Sequence, residues 1–316
     1  MNSLQNILEK YCLEDKTGLL LLSMPTGFGK THNVLDFIYH NYPQFKAQGR
    51  KIIFITNLKK NLPYQDLEKR FIRDNREKEY QENVLFINSN LDFVLDNLLN
   101  LEYEIPENFK KSENYKNLTK QIKQLQKSTK LDSEFQQWIK DKIKDEYEPS
   151  FRYEIVEKLK QKCKNKERRL ELIKNDRNYQ WIGKLYPTVF TDEKTVLFLS
   201  IDKFFLKNST LIEPPYYCYN KLAKNSLVFI DEFDTTKDTI LNRIIEEGNK
   251  HKIDLISLFS NIHNNINNSE FPKNLLEESE KRQKLSQKEN WRSLSAIIHE
   301  LRQESQDIYQ KLALLN

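Results

Sequence analysis

The chain has 316 residues, of which 38% are hydrophobic, 31% charged and 11% aromatic, with a mean hydropathy of −0.75. That length suits one large domain or two small ones, and the composition excludes a membrane-embedded protein, a disordered chain and, at 6 glycines and 9 prolines, a collagen-like or low-complexity design. The formal charge of +5 is unevenly placed: Leu101 to Gln180 holds 20 Lys and Arg against 15 Asp and Glu, which leaves 31 against 31 elsewhere. The longest aliphatic run, Leu19 to Leu22, is too short to span a bilayer. Met1 to Thr17 carries charges and lacks the apolar core of a leader, so a soluble, cytoplasmic protein with no membrane contact is expected. Cys12, Cys163 and Cys218 are too scattered for a disulfide framework or a CxxC metal pattern and read as reduced thiols.

In chain order, Asn2 to Tyr11 spaces Leu4, Ile7, Leu8 and Tyr11 as a short amphipathic helix. Gly18 to Ser23 is a continuous apolar run closed by Pro25 and Gly27, which predicts a buried parallel strand ending in a tight loop. A helix is predicted over Thr31 to Tyr42, with Val34, Leu35, Ile38 and Tyr39 on one face. Lys51 to Thr56 predicts a second strand, Tyr64 to Glu82 a helical stretch, and Val84 to Ile87 a third strand. Strands alternating with helices imply crossover connections and a parallel sheet covered on both faces.

From Leu101 the alternation stops for some 80 charge-rich, helix-prone residues. Ile122, Leu125, Trp138, Ile139, Ile143, Ile155, Leu159, Leu170 and Ile173 supply an apolar stripe, so this reads as a helical insertion with Trp138 in its core. Within it, Lys158 to Arg169 packs seven Lys and Arg into twelve residues, which suits either a solvated helix or contact with phosphates. Strands resume at Thr195 to Ser200 and Ser226 to Ile230. From Thr236 the chain is again helical and polar, with a loop suggested by the asparagines of Asn261 to Asn268. The expected division is thus 1–100 and 186–236 as two parts of one α/β domain, 101–185 as the insertion and 237–316 as a helical accessory segment.

Two motifs carry chemistry. Met24-Pro25-Thr26-Gly27-Phe28-Gly29-Lys30-Thr31 sits between an apolar run and an amphipathic helix. A loop that wraps a polyphosphate needs glycines so that backbone N–H groups can approach the oxygens, and a helix N-terminus behind it. It also needs a lysine for the β- and γ-phosphates, here Lys30, and a hydroxyl for Mg2+, here Thr31. Met24 stands where the P-loop pattern has its first glycine, a position that opens the loop without touching phosphate. The second motif, Leu227 to Asp234, runs four apolar residues into Asp231 and Glu232, delivering two carboxylates to a strand's C-terminal edge. There Asp231 suits the magnesium ion and Glu232 the attacking water.

Pro25 to Thr31 resembles motif I, and Asp231-Glu232-Phe233-Asp234 motif II, of superfamily 2 DExx-box helicases and translocases. Ile53 to Leu62 is similar to motif Ia and Leu197 to Phe205 to motif Ib, the latter in wording close to Cas3 helicases and restriction-type translocases. The resemblance covers about Thr17 to Leu99 and Thr195 to Thr236, the first RecA-like domain. It implies an α/β fold with a RecA-like P-loop parallel sheet, binding of ATP and Mg2+ and hydrolysis at Lys30, Asp231 and Glu232. Nucleotide contacts are implied for Pro25, Thr26, Gly27, Phe28, Gly29, Lys30 and Thr31, and metal contacts for Thr31 and Asp231. Nucleic-acid contacts, to DNA rather than RNA, are implied for Thr56, Lys59, Lys60, Ser200 and Lys203.

The later helicase motifs are missing: no Ser-Ala-Thr motif III, second RecA-like pattern or arginine finger follows Asp234. The chain is therefore expected to be the front part of a longer helicase, a truncated product, or a subunit completed by a second RecA-like domain or partner, with weak hydrolysis alone. No His-Asp nuclease pair precedes the loop, so no nuclease activity is expected. The rival readings are a nucleotide-dependent switch or scaffold that binds ATP and a protein partner without translocating, and a P-loop kinase. His32, His40, Trp181 and Trp291 read as structural.

Overall fold

The computed structural model describes residues 3–13, 18–22, 27–127, 133–251, 261–265, 302–308 and 310. The expectations for Ser23, Met24, Pro25, Thr26, Trp291, most of the segment 252–316 including Ile266 to Asn268, and the side chain of Asp234 lie outside what is described. The chain divides into two compact units, residues 1–239 and 240–316. In the second, positions 261–265 are helical where the asparagine run predicts a loop, and His263 Nδ1 lies 3.1 Å from Ser305 Oγ.

The first unit begins with α1 (Ser3–Cys12), which buries Leu4, Leu8 and Cys12 at helical spacing. Helix α2 (Lys30–Ala47) runs through Pro43 and buries Leu35, Phe37, Ile38, Tyr42 and Phe45. Strand β1 (Lys51–Thr56) is buried after its first residue. The single helix predicted over 64–82 is two, α3 (Tyr64–Arg73) and α4 (Glu77–Asn83). Asn75 adopts φ 56° between them, and Arg76 N donates to Phe71 O at 2.7 Å, a left-handed cap that closes α3.

Strand β2 (Val84–Phe86) leads through α5 (Asn90–Asn97) into the insertion: α6 (Glu107–Lys110), α7 (Glu113–Lys127) and α8 (Ser133–Lys142). From α8 a π-helical turn, Ile143–Tyr147, continues into α9 (Glu148–Lys162), followed by α10 (Lys166–Asn175) and α11 (Gln180–Leu185). These helices enclose a core of their own, in which Trp181 meets Phe109 edge-on at 5.0 Å and stacks on Phe151 at 6.1 Å. That core reaches from Val94 to Ile212, wider than the predicted insertion. Trp138 corrects the sequence reading: it is 52% exposed, stacked on Phe135, with Lys142 over its ring. Its neighbour Ile139 takes the inward position, and consecutive helix residues cannot share a face.

The chain returns to the sheet as β3 (Val196–Ser200) and α12 (Ile201–Phe205). A short antiparallel pair, β4 (Lys207–Asn208) and β5 (Tyr216–Tyr217), and α13 (Cys218–Lys221) lead to β6 (Ser226–Ile230) and α14 (Phe233–His251). Four strands pair in the order β2-β3-β1-β6, all parallel, with Ile53 opposite both Leu197 and Val228. Strands sandwiched by helices bury both faces, which is why they read as continuous apolar runs. At the start of β1, Lys51 Nζ donates to the carbonyls of Thr191, Asp192 and Lys194, fastening the end of the insertion to the sheet.

The predicted strand Gly18 to Ser23 is corrected. Residues 18–22 have no strand pairing, and Leu19 and Leu21 are 81% and 63% exposed. An apolar run supplies strand propensity but no partner, and β6, the edge strand of the described sheet, is only half-buried. Among the described residues no helix is long and apolar enough to cross a membrane. Cys12 and Cys218 are buried, which pushes both thiols up to about 11, and Cys163 is half-buried.

Candidate functional site

The glycine-rich turn enters α2 through two left-handed residues, Gly27 at φ 84° and Gly29 at φ 78°. Side chains rarely tolerate that backbone, so the glycines here answer a conformational need. Gly29 is the N-cap of an 18-residue helix, and its carbonyl accepts from both the backbone N–H and the Nδ2 of Asn33, at 2.9 and 2.8 Å. Lys30 and Thr31 open the helix, both half-buried, whereas Gly27 and Phe28 are exposed. The first-turn N–H groups and the positive end of the helix dipole therefore face the turn, an arrangement that favours an anion.

The second motif arrives on β6, next to β1 at the carboxyl ends of the strands. Asp231 N donates to Ile55 O at 2.9 Å, so the β-ladder carries the first carboxylate. Its Oδ2 accepts from Thr31 Oγ1 at 2.7 Å, across 200 residues of sequence, and its Oδ1 accepts from Glu232 N at 3.0 Å. The structure thus joins the two predicted motifs through the two residues assigned to the metal. A hydroxyl and a carboxylate are oxygen ligands of the kind magnesium takes, so the donors suit that ion. Glu232 is exposed and left-handed, at φ 54°, a conformation that costs a non-glycine residue of order 1–3 kcal/mol. Its carboxylate turns to another element: Asn61 Nδ2 donates to Oε1 at 2.9 Å and to Oε2 at 3.0 Å.

Asn61 belongs to a single 3-10 turn, Lys59–Asn61, that follows β1. Of the predicted nucleic-acid residues, Lys59 and Lys60 lie exposed on this turn, and Lys59 pairs with Asp92 at 3.0 Å. The others are buried or half-buried. Thr56 is buried and donates to Leu58 O at 2.8 Å. Ser200 caps α12 by accepting from Lys203 N, and burial pushes the Lys203 ammonium below its ordinary value. Sequence reasoning missed Asn61, because asparagine after a strand is ordinary turn chemistry and its partner lies 171 residues away.

Around this site α2 is strapped to its neighbours. Arg70 of α3 forms an ion pair with Asp36 and donates to His32 Nδ1 at 2.8 Å, giving that histidine a structural place. His40 Nδ1 lies 2.8 Å from Asp36 O. On the insertion, Lys158 pairs with Glu154 and Lys160 with Glu157, while Lys166 joins Lys221 of α13 in pairing with Asp192 and Glu213 beyond it. The basic stretch also borders two open cavities of about 690 and 450 Å³, to which it contributes Cys163 and Arg168, and Lys160 and Arg169. No protein-family model matches the chain, and no curated protein matches it.

Proposed function

We propose that the chain is the ATP-binding domain of a nucleic-acid helicase or translocase, with a RecA-like sheet that couples ATP hydrolysis to movement on DNA or RNA. The hydrogen bond between Thr31 and Asp231 carries this reading, because it unites a phosphate-type loop and an acidic strand end at one sheet edge. Backbone N–H groups of the Gly27–Lys30 turn and the α2 dipole receive the phosphates, and Lys30 reaches the β- and γ-phosphates. Thr31 and Asp231 hold Mg2+, which when bound supplies charge neutralisation to the phosphate oxygens. Water oxygen bonds to the γ-phosphorus as the bond to the β–γ bridging oxygen breaks. The electron pair leaves with ADP, and Glu232 takes the water's proton. Such chemistry asks the protein mainly for positioning and electrostatics.

The test is binding of a fluorescent ATP analogue with Mg2+ to the full chain and to Lys30→Ala. The variant is expected to lose binding; equal affinity of the two would overturn the assignment. ATPase rate with and without single- and double-stranded nucleic acid separates a translocase from the nucleotide-dependent switch, since only the first is stimulated.

A further inference from the structure

The basic stretch Lys158 to Arg169 supplies none of the contacts described at the sheet edge, but its Lys160 and Arg169 line a cleft of about 450 Å³. One wall is α9, whose Pro149, Tyr153, Val156 and Lys160 recur at helical spacing and so share a face. The other wall is the segment Ser209 to Pro215, and Arg169 of α10 also lines the space. Clefts of this size hold small ligands or one unit of a polymer. The walls are already fixed. Leu211 and Ile212 are 1% and 2% exposed and belong to the insertion core, which anchors the segment. Arg152 ties it to α9: its Nη1 donates to Ser209 Oγ at 2.6 Å and its Nε to the buried Glu148 at 2.8 Å.

The charge in the cleft favours an anion. Glu213, the acidic residue of the lining, is held by Lys166 at 2.9 Å and Lys221 at 2.7 Å, so its charge is offset. Lys160 pairs with Glu157 in an exposed contact of little net worth, which a phosphate displaces. Arg169 donates to the carbonyls of Asn165 and Lys164, and among the described residues it meets no carboxylate. Tyr153 is 66% exposed, and among the described residues no aromatic ring or cation lies over it. An open ring beside two available cations suits a nucleotide unit, with a π-face for the base and positive charge for the phosphate. An acidic peptide would use the cations and leave the ring idle. We propose that the cleft is a single-strand contact of the insertion: one base lies on the Tyr153 ring, and its phosphate meets Lys160 and Arg169. A duplex keeps its bases stacked within itself, so the cleft selects single strands. This inference rests on nucleic acid as the partner in the reading above, and ATP hydrolysis plays no part in it.

The experiment measures fluorescence anisotropy of labelled oligothymidylate and oligouridylate on the full chain, without ATP. The variants are Tyr153→Ala, Tyr153→Phe, Lys160→Ala, Arg169→Ala and Lys120→Ala, the last an exposed lysine of α7 outside the cleft. Tyr153→Ala is expected to raise Kd about tenfold, and Tyr153→Phe, which keeps the ring, to stay at the parental value. Lys160→Ala and Arg169→Ala should each lower the slope of log Kd against log salt by about 0.7, the share of one phosphate on a single strand, with Lys120→Ala unchanged. A duplex of the same length should bind more weakly than the single strand. If the single strand binds but Tyr153→Ala and Arg169→Ala behave as the parent, if Lys120→Ala loses as much as they do, or if the duplex binds equally well, the cleft is overturned and the nucleic-acid reading stands. Tyr153-dependent binding of poly-glutamate as tight as that of the oligonucleotides would overturn it in favour of an acidic protein partner. If the parent binds no nucleic acid, the nucleic-acid reading and the cleft fall together, and ATP binding at Thr31 and Asp231 is untouched.

Discussion

In the helical insertion, Trp181, Phe109 and Phe151 close on one another inside a shell of aliphatic side chains, and charged groups are held in ion pairs, exposed as in Lys160–Glu157 or largely buried as in Arg152–Glu148. In the sheet, Phe54 of β1 and Phe198 of β3 pack at 5.6 Å just as tightly, but the neighbouring strand β6 ends in polar groups that find partners on distant elements: Asp231 on Thr31, Glu232 on Asn61. The insertion buries its apolar surface in a core that draws on residues from Val94 to Ile212. The sheet brings together residues up to 200 positions apart, and parallel strands do so at one edge because all of them end on the same side. Burial alone therefore does not locate function; the useful signal is a polar group fixed by partners from far along the chain.

The comparison breaks most severely if the insertion core is emptied. Trp181 is fully buried and its indole N–H donates to Asn178 O at 2.9 Å. Trp181→Ala is expected to cost about 3–5 kcal/mol in chemical unfolding. Without denaturant, where the variant stays folded, Mg2+-dependent nucleotide binding should stay at the parental value, because neither Thr31 nor Asp231 touches that core. Loss of binding in a folded Trp181→Ala protein would show that the two regions are not separable. The converse substitution, Asp231→Asn, should leave the unfolding midpoint nearly unchanged and weaken Mg2+-dependent ATP binding roughly 10- to 100-fold, or about 1.4–2.8 kcal/mol. Titration calorimetry with and without Mg2+ reads this directly, and an affinity that ignores the metal in the parent would remove Asp231 from the site.

How much of this was legible in the sequence follows from the same contrast. Strands β1, β2 and β3 were readable because a parallel strand buried on both faces must be apolar at nearly every position, and β6 carries the same apolar wording although it is only half-buried. Gly18 to Leu22 has the same wording and no partner, since pairing is decided by distant residues that periodicity does not see. Trp138 was misplaced for a local reason: the stripe allowed either Trp138 or Ile139 inside, and the smaller aliphatic side chain took the place. Thr31 and Asp231 could be assigned to one ion because each motif prescribes its own chemistry. Nothing comparable marks Asn61, whose contact with Glu232 exists only in the folded juxtaposition.

The smallest expected effect concerns the strap that holds α2, and through it Lys30 and Thr31, against α3 and α4. Glu79 of α4 accepts from Arg76 at 2.8 and 3.0 Å and from the hydroxyl of Tyr42 on α2. The Arg76 guanidinium first, then Tyr42, pulls the Glu79 carboxyl from 4.5 down to about 2. A depressed carboxyl binds its proton more weakly folded than unfolded, so its stabilisation is complete above the unfolded value and fades as pH falls from about 4.5 to about 2. Glu79→Gln removes that titration. The parent should therefore be more stable than Glu79→Gln in urea at pH 6, the difference should shrink between pH 4.5 and 2, and it should vanish near the lower limit. Glu79 is largely exposed, so screening keeps the gap small, and added salt should narrow it further at pH 6. A gap that stays constant from pH 6 to pH 3 would mean that Glu79 shapes the strap by packing rather than charge. The insertion offers the matched control: Glu154 is likewise held low, against the opposing effect of burial, by Lys158, Asn114 and Ser112, but its ion pair stands beside a core that includes neither Thr31 nor Asp231. Acid loosening through Glu79 should thus weaken nucleotide binding along with stability, whereas loosening through Glu154 should lower stability alone.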